Sequence, residues 1–446
     1  MSDGKQARPH PARVPTGRLK RFTKLSGTAT TVTARHAFQK LKEAVIAPEE
    51  RAQSRRDATV KSAQDVVRTL SEMKGAAMKV GQLLSVDPQV LPPEFRDALG
   101  SLQKNAPPMP WELVEQVVTG ALGTPLAEAY AEFDREPLGA ASIGQVHRAV
   151  TRAGQPVAVK VQYPGIDATI DSDVKNLGTM LQMAKLVIPG ARIEDYLEEL
   201  RQVLHREADY ENEARNLVEY AQRLAVFPYA RVPSPLPELT RKSVLTMELM
   251  TGTPLVEVLS TSSPTERDAL ATRFLDMFMR MFHELNLLHA DPHPGNFLMD
   301  GDGRLVLLDF GCVKTFDPSF PDAFTNIMRA QWRGEADGLL DLYRRAGFVV
   351  PARGVDGDLL YEWQEIVLEP FIHKGPFDFA AWKLEARALA FLRDNLVLKT
   401  VAPPRPALFY FRVCAGLRGI LTRTGARVDV RQLARELEGR LAARGR

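Results

Sequence analysis

The sequence predicts an α+β fold in which a helical N-terminal region is followed by a strand-rich middle and a mostly helical second half. Apolar residues recur every three or four positions from Lys61 to Leu84, which is typical of an amphipathic helix. Short apolar runs bounded by turn residues lie between Pro137 and Leu249, and such runs are typical of strands. Helical spacing returns after Thr265 and continues through the rest of the sequence.

The composition is that of a globular protein of two or three packed units, since the chain has 446 residues and domains usually run to about 100–200. A net charge of only +3 argues against a nucleic-acid partner. The two cysteines, Cys312 and Cys414, are too few for a disulfide framework and fit a reducing compartment. We find neither a run of about 18 apolar residues nor a signal peptide, so we expect a cytoplasmic protein with at most peripheral contact at the inner face of the membrane.

We predict four consecutive regions. Residues 1–30 form a basic arm that is expected to be disordered, and attraction to an anionic membrane or plain solvation explains its charge equally well. Residues 31–122 form a helical extension, with a linker signal at Pro107 to Pro110. Residues 123–250 form a first lobe that carries the strands, and residues 251–446 form a mostly helical second lobe.

Turn residues and apolar spacing define the individual elements. We predict strands over 137–149, 155–162 and 243–249, helices over 193–224 and 428–443, and a hairpin turn at 300–303.

Two signals in the strand-rich middle point to phosphate binding. The small residues of Gly139 to His147 let backbone N–H groups approach phosphate oxygens, although a tight hairpin explains this loop by itself. Lys160 ends the apolar strand that begins at Val157, and in protein kinases such a lysine holds the α- and β-phosphates. A strand-terminal lysine is ordinarily just solvated, so the assignment depends on the motifs that follow.

The acidic helical segment from Glu207 to Glu213 contains carboxylates that could fix the position of a strand lysine. Asp209 and Glu213 are four residues apart and share a helical face, whereas Glu207 is expected to point elsewhere. A charged face exposed to water is the alternative explanation.

The segment from His289 to Asn296 has the spacing of a kinase catalytic loop, in which four residues separate an aspartate from an asparagine. Asp291 would accept or orient the proton of the nucleophile, and Asn296 would bind Mg²⁺. A transition-metal site built from His289, Asp291 and His293 is the rival interpretation.

The tripeptide Asp309-Phe310-Gly311 follows, at the end of the apolar strand Leu305 to Leu308. Asp309 would chelate the Mg²⁺ that bridges the β- and γ-phosphates. The order and spacing of these five signals predict a protein-kinase-like core that binds ATP and Mg²⁺ and transfers or hydrolyses the terminal phosphoryl group.

At these residues the sequence resembles the AarF/UbiB family of atypical kinases, from about Leu41 to Ile420. Ordinary kinases lack the KxGQ helix and the alanine-rich loop of this family, which makes the resemblance specific. The residues that carry it are Lys79-Val80-Gly81-Gln82 for KxGQ, Ala140-Ala141-Ser142 for the alanine-rich loop, Glu207 and Asp209 for ExD, the segment His289 to Asn296, and Asp309-Phe310-Gly311.

The resemblance implies a two-lobed kinase-like fold with a helical extension, whose KxGQ helix packs over the active site. Lys79 and Gln82 would contact the ExD motif, and the two motifs form a regulatory set. Glu213, in preference to Glu207, would be the partner of Lys160. The assigned catalytic residues are Lys160, Glu213 and Asp291, the metal ligands are Asn296 and Asp309, and the further nucleotide contacts are Ala140, Ala141, Ser142, Glu248 and Met250.

The resemblance also implies a role in ubiquinone or related isoprenoid quinone metabolism at membranes, with ATPase activity more readily shown than protein phosphorylation. The expected partners are therefore a nucleotide and a lipid or quinone precursor, and a catalytically weak nucleotide-binding scaffold is the alternative.

Four features depart from related patterns. Gly139 stands where many family members have alanine, which leaves the nucleotide preference open. We find no C-terminal transmembrane pair of the kind that UbiB carries. Ala290 replaces the catalytic-loop arginine of ordinary kinases, and no Ala-Pro-Glu segment follows Gly311 nearby, so a phosphorylated activation loop is not expected.

Overall fold

The computed structural model describes residues 108–141, 143–175, 178 and 193–445, and isolated helical positions at 54, 57, 60, 61 and 65. The basic arm and most of the helical extension lie outside the described residues, and so do the KxGQ residues Lys79 and Gln82. Ser142 of the alanine-rich loop also lies outside them.

Helices occupy much of the described chain after the strand-rich middle, and the prediction of an α+β fold is confirmed. In chain order they are α1 Trp111–Leu122, α2 Leu126–Ala129, α3 Ile193–Glu207, α4 Tyr210–Arg223, α5 Leu255–Thr261, α6 Pro264–His283, α7 Ser319–Arg333, α8 Leu339–Arg345, α9 Gly357–Val367, α10 Glu369–Ile372, α11 Leu384–Asp394, α12 Arg405–Thr424 and α13 Val430–Ala442.

Strands concentrate between residues 130 and 315 and are short apart from two. In chain order they are β1 Tyr130–Phe133, β2 Gly139–Ala141, β3 Gly144–Thr151, β4 Pro156–Gln162, β5 Ala230–Arg231, β6 Val244–Glu248, β7 Thr253–Pro254, β8 Leu287–His289, β9 Phe297–Met299, β10 Leu305–Leu307, β11 Val313–Thr315, β12 Phe377–Asp378 and β13 Arg427–Val428.

The main sheet has the strand order β1-β3-β4-β6. Strand β4 alternates β-branched residues, and the valines at 157, 159 and 161 are fully buried, which suits a strand covered by other elements. Strands β4 and β6 are antiparallel, and Lys160 stands opposite Leu245. Lys160 therefore lies on an inner strand of the sheet, with a neighbouring strand on each side.

A second sheet has the order β5-β10-β9-β7 and contains the predicted hairpin. Strands β9 and β10 are antiparallel, with Phe297 opposite Leu307. In the connecting turn, Asp300 Oδ1 accepts from the backbone N–H groups of Asp302 at 3.0 Å and Arg304 at 2.9 Å. Gly303 takes a φ of +75°, which glycine adopts without steric cost. A separate pair, β8 with β11, lies on either side of this hairpin in the sequence.

Helix α6 is the central helix of the second half. Its start is fixed by a capping box, in which Ser263 and Glu266 exchange side-chain and backbone hydrogen bonds. Its buried face carries Phe274 and Phe278, and the Phe274 ring meets Phe297 edge-on with 5.0 Å between ring centroids. None of the helices in the described part of the chain combines the length and the apolar character needed to cross a bilayer.

The chain divides into two compact units. The described residues within Met1–Met109, Ala140–Gln145 and Tyr163–His205 form the first unit, and those within Pro110–Gly139, Val146–Gln162 and Arg206–Arg446 form the second. Within the first unit, the Met109 backbone N–H donates to Gln145 Oε1 at 2.7 Å, and His205 Nε2 lies 2.8 Å from Asp171 Oδ1. The side chains around Lys160 and Asp309 that are described below belong to the second unit, whereas Ala140 and Ala141 belong to the first.

Candidate active site

Lys160 is held by two carboxylates. Its Nζ lies 2.8 and 2.9 Å from the two oxygens of Glu213, and 3.3 Å from Asp309 Oδ2. Only 7% of the Lys160 side chain and 1% of the Glu213 side chain are exposed. Hydrogen bonds between charged groups at these distances are strong, and burial shields them from water and salt.

The electrostatics keep the Lys160 ammonium charged. Burial lowers the pKa of Lys160, but the negative charges of Asp309 and Glu213 outweigh it, and the pKa lies well above its usual value. Burial raises the pKa of the Glu213 carboxyl to about 7, against the opposing effect of Lys160.

The ring of Tyr210 also contacts the Lys160 ammonium, in addition to the carboxylates of Glu213 and Asp309. The ammonium nitrogen lies 5.2 Å from the ring centroid, within the range of a cation–π interaction. Tyr210 is fully buried, and its hydroxyl has no hydrogen-bond partner among the described residues. The tyrosine therefore contacts Lys160 through its ring rather than its hydroxyl.

One face of α4 binds the segment that carries Asp309. Asn216 Nδ2 donates to the Phe310 carbonyl at 2.9 Å, and Glu213 Oε1 accepts from the Phe310 backbone N–H at 3.3 Å. The Tyr220 ring packs edge-on against Phe310, with 5.1 Å between ring centroids. Residues at this spacing lie on one helical face, so α4 fixes both Lys160 and the backbone around Asp309.

The acidic segment is not one continuous helix, which corrects the expectation that Glu207 points away from Glu213. Helix α3 ends at Glu207, and Asp209 caps the new helix α4 by accepting from the Asn212 backbone N–H at 3.0 Å. A Cβ added at Gly311 would lie 3.4 Å from Glu207 Cγ and 3.6 Å from Glu213 Oε2. Because the helix is interrupted between Glu207 and Glu213, both side chains lie close to Gly311.

Gly311 is closely surrounded by the side chains of the site. Its backbone N–H donates to Asp309 Oδ1 at 2.9 Å, and a Cβ added there would lie only 3.2 Å from the same oxygen. A larger residue would therefore compete with the Asp309 carboxylate for space.

The β9–β10 hairpin places Asn296 beside Asp309. The Leu308 backbone N–H donates to the Asn296 carbonyl at 3.0 Å, one residue before Asp309. Asn296 Nδ2 donates to the Asp291 backbone carbonyl at 3.0 Å and to Asp291 Oδ2 at 3.3 Å. A continuous chain of contacts thus links Lys160, Asp309, Asn296 and Asp291.

His289 is a structural residue behind this chain. It is fully buried, its Nε2 hydrogen-bonds to the Asp309 backbone carbonyl, and burial lowers its pKa. His293 Nδ1 accepts from the Gly295 backbone N–H at 3.1 Å. Residues 108–141, 143–175 and 193–445 contain no group of three His, Cys, Asp or Glu side chains that could hold a metal ion. The rival transition-metal site therefore gains no support from the described geometry.

Comparison with known proteins identifies the family of this chain. The sequence profile of the ABC1 atypical kinase-like domain matches residues 101–342. The chain belongs to this family. The expected kinship with the AarF/UbiB proteins is thereby confirmed.

Relatives and a solved structure extend the match over most of the chain. Atypical kinase coq-8, mitochondrial, of Caenorhabditis elegans is 30% identical over 383 residues, which cover 84% of this chain and 51% of that protein. Atypical kinase COQ8B, mitochondrial, of Rattus norvegicus is 33% identical over 382 residues, which cover 84% of this chain and 71% of that protein. The chain thus spans about half of the first relative and seven tenths of the second.

The structure of the Rv3197–erythromycin complex from Mycobacterium tuberculosis is similar to this chain, with a TM-score of 0.60 and 31% identity. The match covers 86% of this chain and 98% of that one. The kinase-like fold prediction is confirmed.

Sequence reasoning missed one residue of this ABC1-family site. Arg412, on α12, lies 2.6 Å from Asp291 Oδ1 through its Nη2. Arg412 lies 121 positions from Asp291, and no local sequence pattern links the two residues. An available signal was the arginine itself, which interrupts the otherwise apolar run from Ala407 to Ile420.

The remaining predicted residues have varied surroundings. Glu248 pairs with Arg231, and Met250 is half-buried just beyond β6. Ala140 is exposed and Ala141 is half-buried in the first unit. Their assignment to nucleotide contacts stays a prediction, as does the regulatory assignment of Glu207 and Asp209.

Proposed function

We propose that this protein binds a Mg²⁺–nucleoside triphosphate at the Lys160–Asp309 site and transfers or hydrolyses the terminal phosphoryl group. The observation that carries the proposal is the placement of Lys160 between Glu213 and Asp309, beside the linked pair of Asn296 and Asp291. Phosphoryl transfer needs mainly positioning and charge compensation, and this arrangement offers both.

The side chains of Asp309 and Asn296 are chemically suited to bind a magnesium ion. Asp309 offers a carboxylate and Asn296 an amide oxygen, and Mg²⁺ prefers such hard oxygen ligands. The Asp309 side chain is 23% exposed, so an ion that arrives with a nucleotide can reach it. A bound ion would neutralise charge between the β- and γ-phosphates.

The chain's own residues divide the remaining work. Glu213 holds the Lys160 ammonium, which compensates phosphate charge. Asp291 orients the oxygen that attacks the phosphorus, whether it belongs to water or to an acceptor hydroxyl. The Asn216 hydrogen bond to the Phe310 carbonyl keeps the segment that carries Asp309 in register with α4.

We place this activity in ubiquinone or related isoprenoid quinone metabolism. The support is the family membership, the relatives named coq-8 and COQ8B, and the motifs that carry the resemblance. A lipid or quinone precursor is the proposed acceptor or ligand, with contact at a membrane surface.

A nucleotide-binding scaffold with weak turnover is the second candidate. One observation favours it: the Lys160 ammonium contacts Asp309, and the Arg412 guanidinium contacts Asp291. Both carboxylates are thus already charge-compensated, which lowers their availability to a metal ion and to an acceptor.

ATP turnover with Mg²⁺ tests the proposal, measured with and without phenolic quinone precursors and with liposomes of anionic or neutral lipid. Asp309→Asn serves as the blank. Asp302→Asn is the matched control, because Asp302 lies in the same hairpin with 74% of its side chain exposed.

We expect turnover in the parent and in Asp302→Asn, none in Asp309→Asn, and stimulation by anionic liposomes. Turnover that survives Asp309→Asn would exclude the proposed site. Nucleotide binding without turnover under every condition would favour the scaffold. Failure to co-sediment with liposomes, together with unchanged turnover, would remove the membrane contact.

A further inference from the structure

Helix α12 meets the catalytic loop at unusually short range. On α12, Arg412 and Gly416 are four residues apart and share a face. A Cβ added at Gly416 would lie 2.3 Å from Pro292 Cγ and 3.1 Å from the Pro292 carbonyl oxygen. Any other residue at this position would push α12 away from the loop. Glycine therefore permits the approach that brings Arg412 to Asp291.

The contact between Arg412 and Asp291 is well enclosed. Arg412 Nη2 lies 2.6 Å from Asp291 Oδ1, with 11% of the arginine and 16% of the aspartate side chain exposed. The other carboxylate oxygen, Oδ2, accepts from Asn296 Nδ2 at 3.3 Å. Two donors from two different elements thus bind the two oxygens, which fixes the plane of the carboxylate.

Arg412 also reaches the segment after Gly311. Its Nη1 lies 3.8 Å from Cys312 Sγ, and the Cys312 carbonyl accepts from the Ala290 backbone N–H at 2.9 Å. One guanidinium therefore touches both segments that frame the proposed phosphoryl-transfer site.

The local sequence lacks any other arginine for this task. Ordinary kinases have an arginine directly before the catalytic aspartate, whereas this chain has the fully buried Ala290 there. In this chain the guanidinium that contacts the aspartate belongs to Arg412 on α12, 121 positions after Asp291.

We propose that Arg412 is a positioning residue for Asp291, and that Gly416 sets the distance at which it works. The guanidinium holds the carboxylate in the orientation that receives the attacking oxygen. This inference rests on the proposed function, because it assigns a role within the same site. It adds α12 to the elements that control turnover.

A purely structural ion pair would behave differently. Among the described residues, the hydrogen bonds of Arg412 go to Asp291 and Cys312 rather than to the residues that would hold the nucleotide, so a positioning role affects kcat and leaves nucleotide binding intact. Misplacing a group that aligns a reactant by about 1 Å lowers a rate by on the order of 100-fold. A structural role would instead lower stability and affect kcat and KM together.

The first test compares Arg412→Met, Arg412→Lys and Arg418→Met in the full chain. Arg418 is the matched control, since it lies on the same helix and pairs with Glu385 instead. ATP turnover with Mg²⁺ gives kcat and KM, and thermal unfolding with and without Mg²⁺–ATP reports folding and nucleotide binding.

We expect Arg412→Met to lower kcat by about 10- to 100-fold with KM for ATP and the Mg²⁺–ATP stabilisation close to parent values. Arg412→Lys should restore part of kcat, and Arg418→Met should match the parent. Parent-like kcat in Arg412→Met, or equal losses in Arg412→Met and Arg418→Met, would overturn the inference.

The second test keeps Arg412 and changes its distance. Gly416→Ala introduces the clash with Pro292, whereas Gly419→Ala on the same helix meets nothing within 4 Å. We expect kcat to fall in Gly416→Ala alone, with Mg²⁺–ATP stabilisation retained. Equal kcat in both variants would contradict the role of Gly416.

A parent that shows neither Mg²⁺–ATP stabilisation nor turnover would overturn the proposed function itself. A parent that turns over ATP while Arg412→Met matches it would overturn only this inference.

Discussion

Lys160 and Phe310 donate to the same atom, because Glu213 Oε1 lies 2.8 Å from the Lys160 ammonium nitrogen and 3.3 Å from the Phe310 backbone nitrogen. One carboxylate oxygen thus ties the strand lysine to the segment that carries Asp309. The placement of the lysine and the placement of the proposed metal ligand depend on each other.

Glu213→Gln should break this tie. A neutral amide holds the Lys160 ammonium less strongly than the carboxylate does, while the contact of Lys160 with Asp309 remains. We expect at least about tenfold weaker Mg²⁺–ATP binding. Nucleotide titration measures this change. Glu211→Gln is the control, because Glu211 is exposed on the same helix, and equal behaviour of the two variants would argue against the tie.

Turnover and stability should change with pH in opposite directions around the pKa of Glu213, which is about 7. Because this pKa is raised above the unfolded value, the protonated form is favoured by folding, and the stability gained at low pH is lost as pH rises through about 7. Turnover needs the ionised carboxylate that holds Lys160, so it should rise over the same range. Turnover and melting temperature from about pH 5.5 to about pH 8.5 check this, with Glu213→Gln lacking the transition. A parent whose turnover is flat across this range would contradict the prediction.

The two halves of the Tyr210 side chain should contribute differently. Tyr210→Phe keeps the ring over Lys160 and removes a buried hydroxyl without a partner among the described residues, so we expect unchanged turnover and equal or higher stability. Tyr210→Leu removes a cation–π contact of about 2 kcal/mol when desolvated, so nucleotide affinity should fall by roughly 10- to 30-fold. Nucleotide titration separates the two variants. If both lost affinity to the same extent, the hydroxyl rather than the ring would be the important group.

Gly311→Ala should displace the Asp309 carboxylate, since the added Cβ would lie 3.2 Å from Asp309 Oδ1. We expect Mg²⁺-dependent turnover to fall by about 10-fold or more, because the proposed metal ligand loses its position. Gly301→Ala, in the neighbouring hairpin turn, meets nothing within 4 Å and should match the parent. Equal turnover in the two alanine variants would show that the crowding at Gly311 is tolerated.

Local spacing predicted the parts of the site that one short segment determines. Asn296 and Asp309 are brought together by a hairpin whose turn residues are evident in the sequence, so their proximity followed from local geometry. Lys160 lies on a compact apolar strand, but its assignment depended on the order of the motifs that follow it. The α+β class followed from apolar periodicity alone.

Tertiary packing decided what the sequence could not. The resemblance already favoured Glu213 over Glu207 as the partner of Lys160, but helical periodicity does not reveal the helix break before Asp209 that brings both glutamates to Gly311. Arg412 reaches Asp291 only because α12 packs against the loop, with Gly416 allowing close approach. No local pattern encodes a contact across 121 positions.

The most direct test of the shared magnesium–nucleotide site is the shift in melting temperature on adding Mg²⁺–ATP to the parent, Asp309→Asn and Asp302→Asn. A ligand that binds only the folded state at about 100 times its Kd stabilises by about 2.7 kcal/mol, so the parent and Asp302→Asn should melt several degrees higher with ligand. Asp309→Asn should show no shift. An equal shift in Asp309→Asn and the parent would contradict the central claim that Asp309 and Lys160 bind one nucleotide.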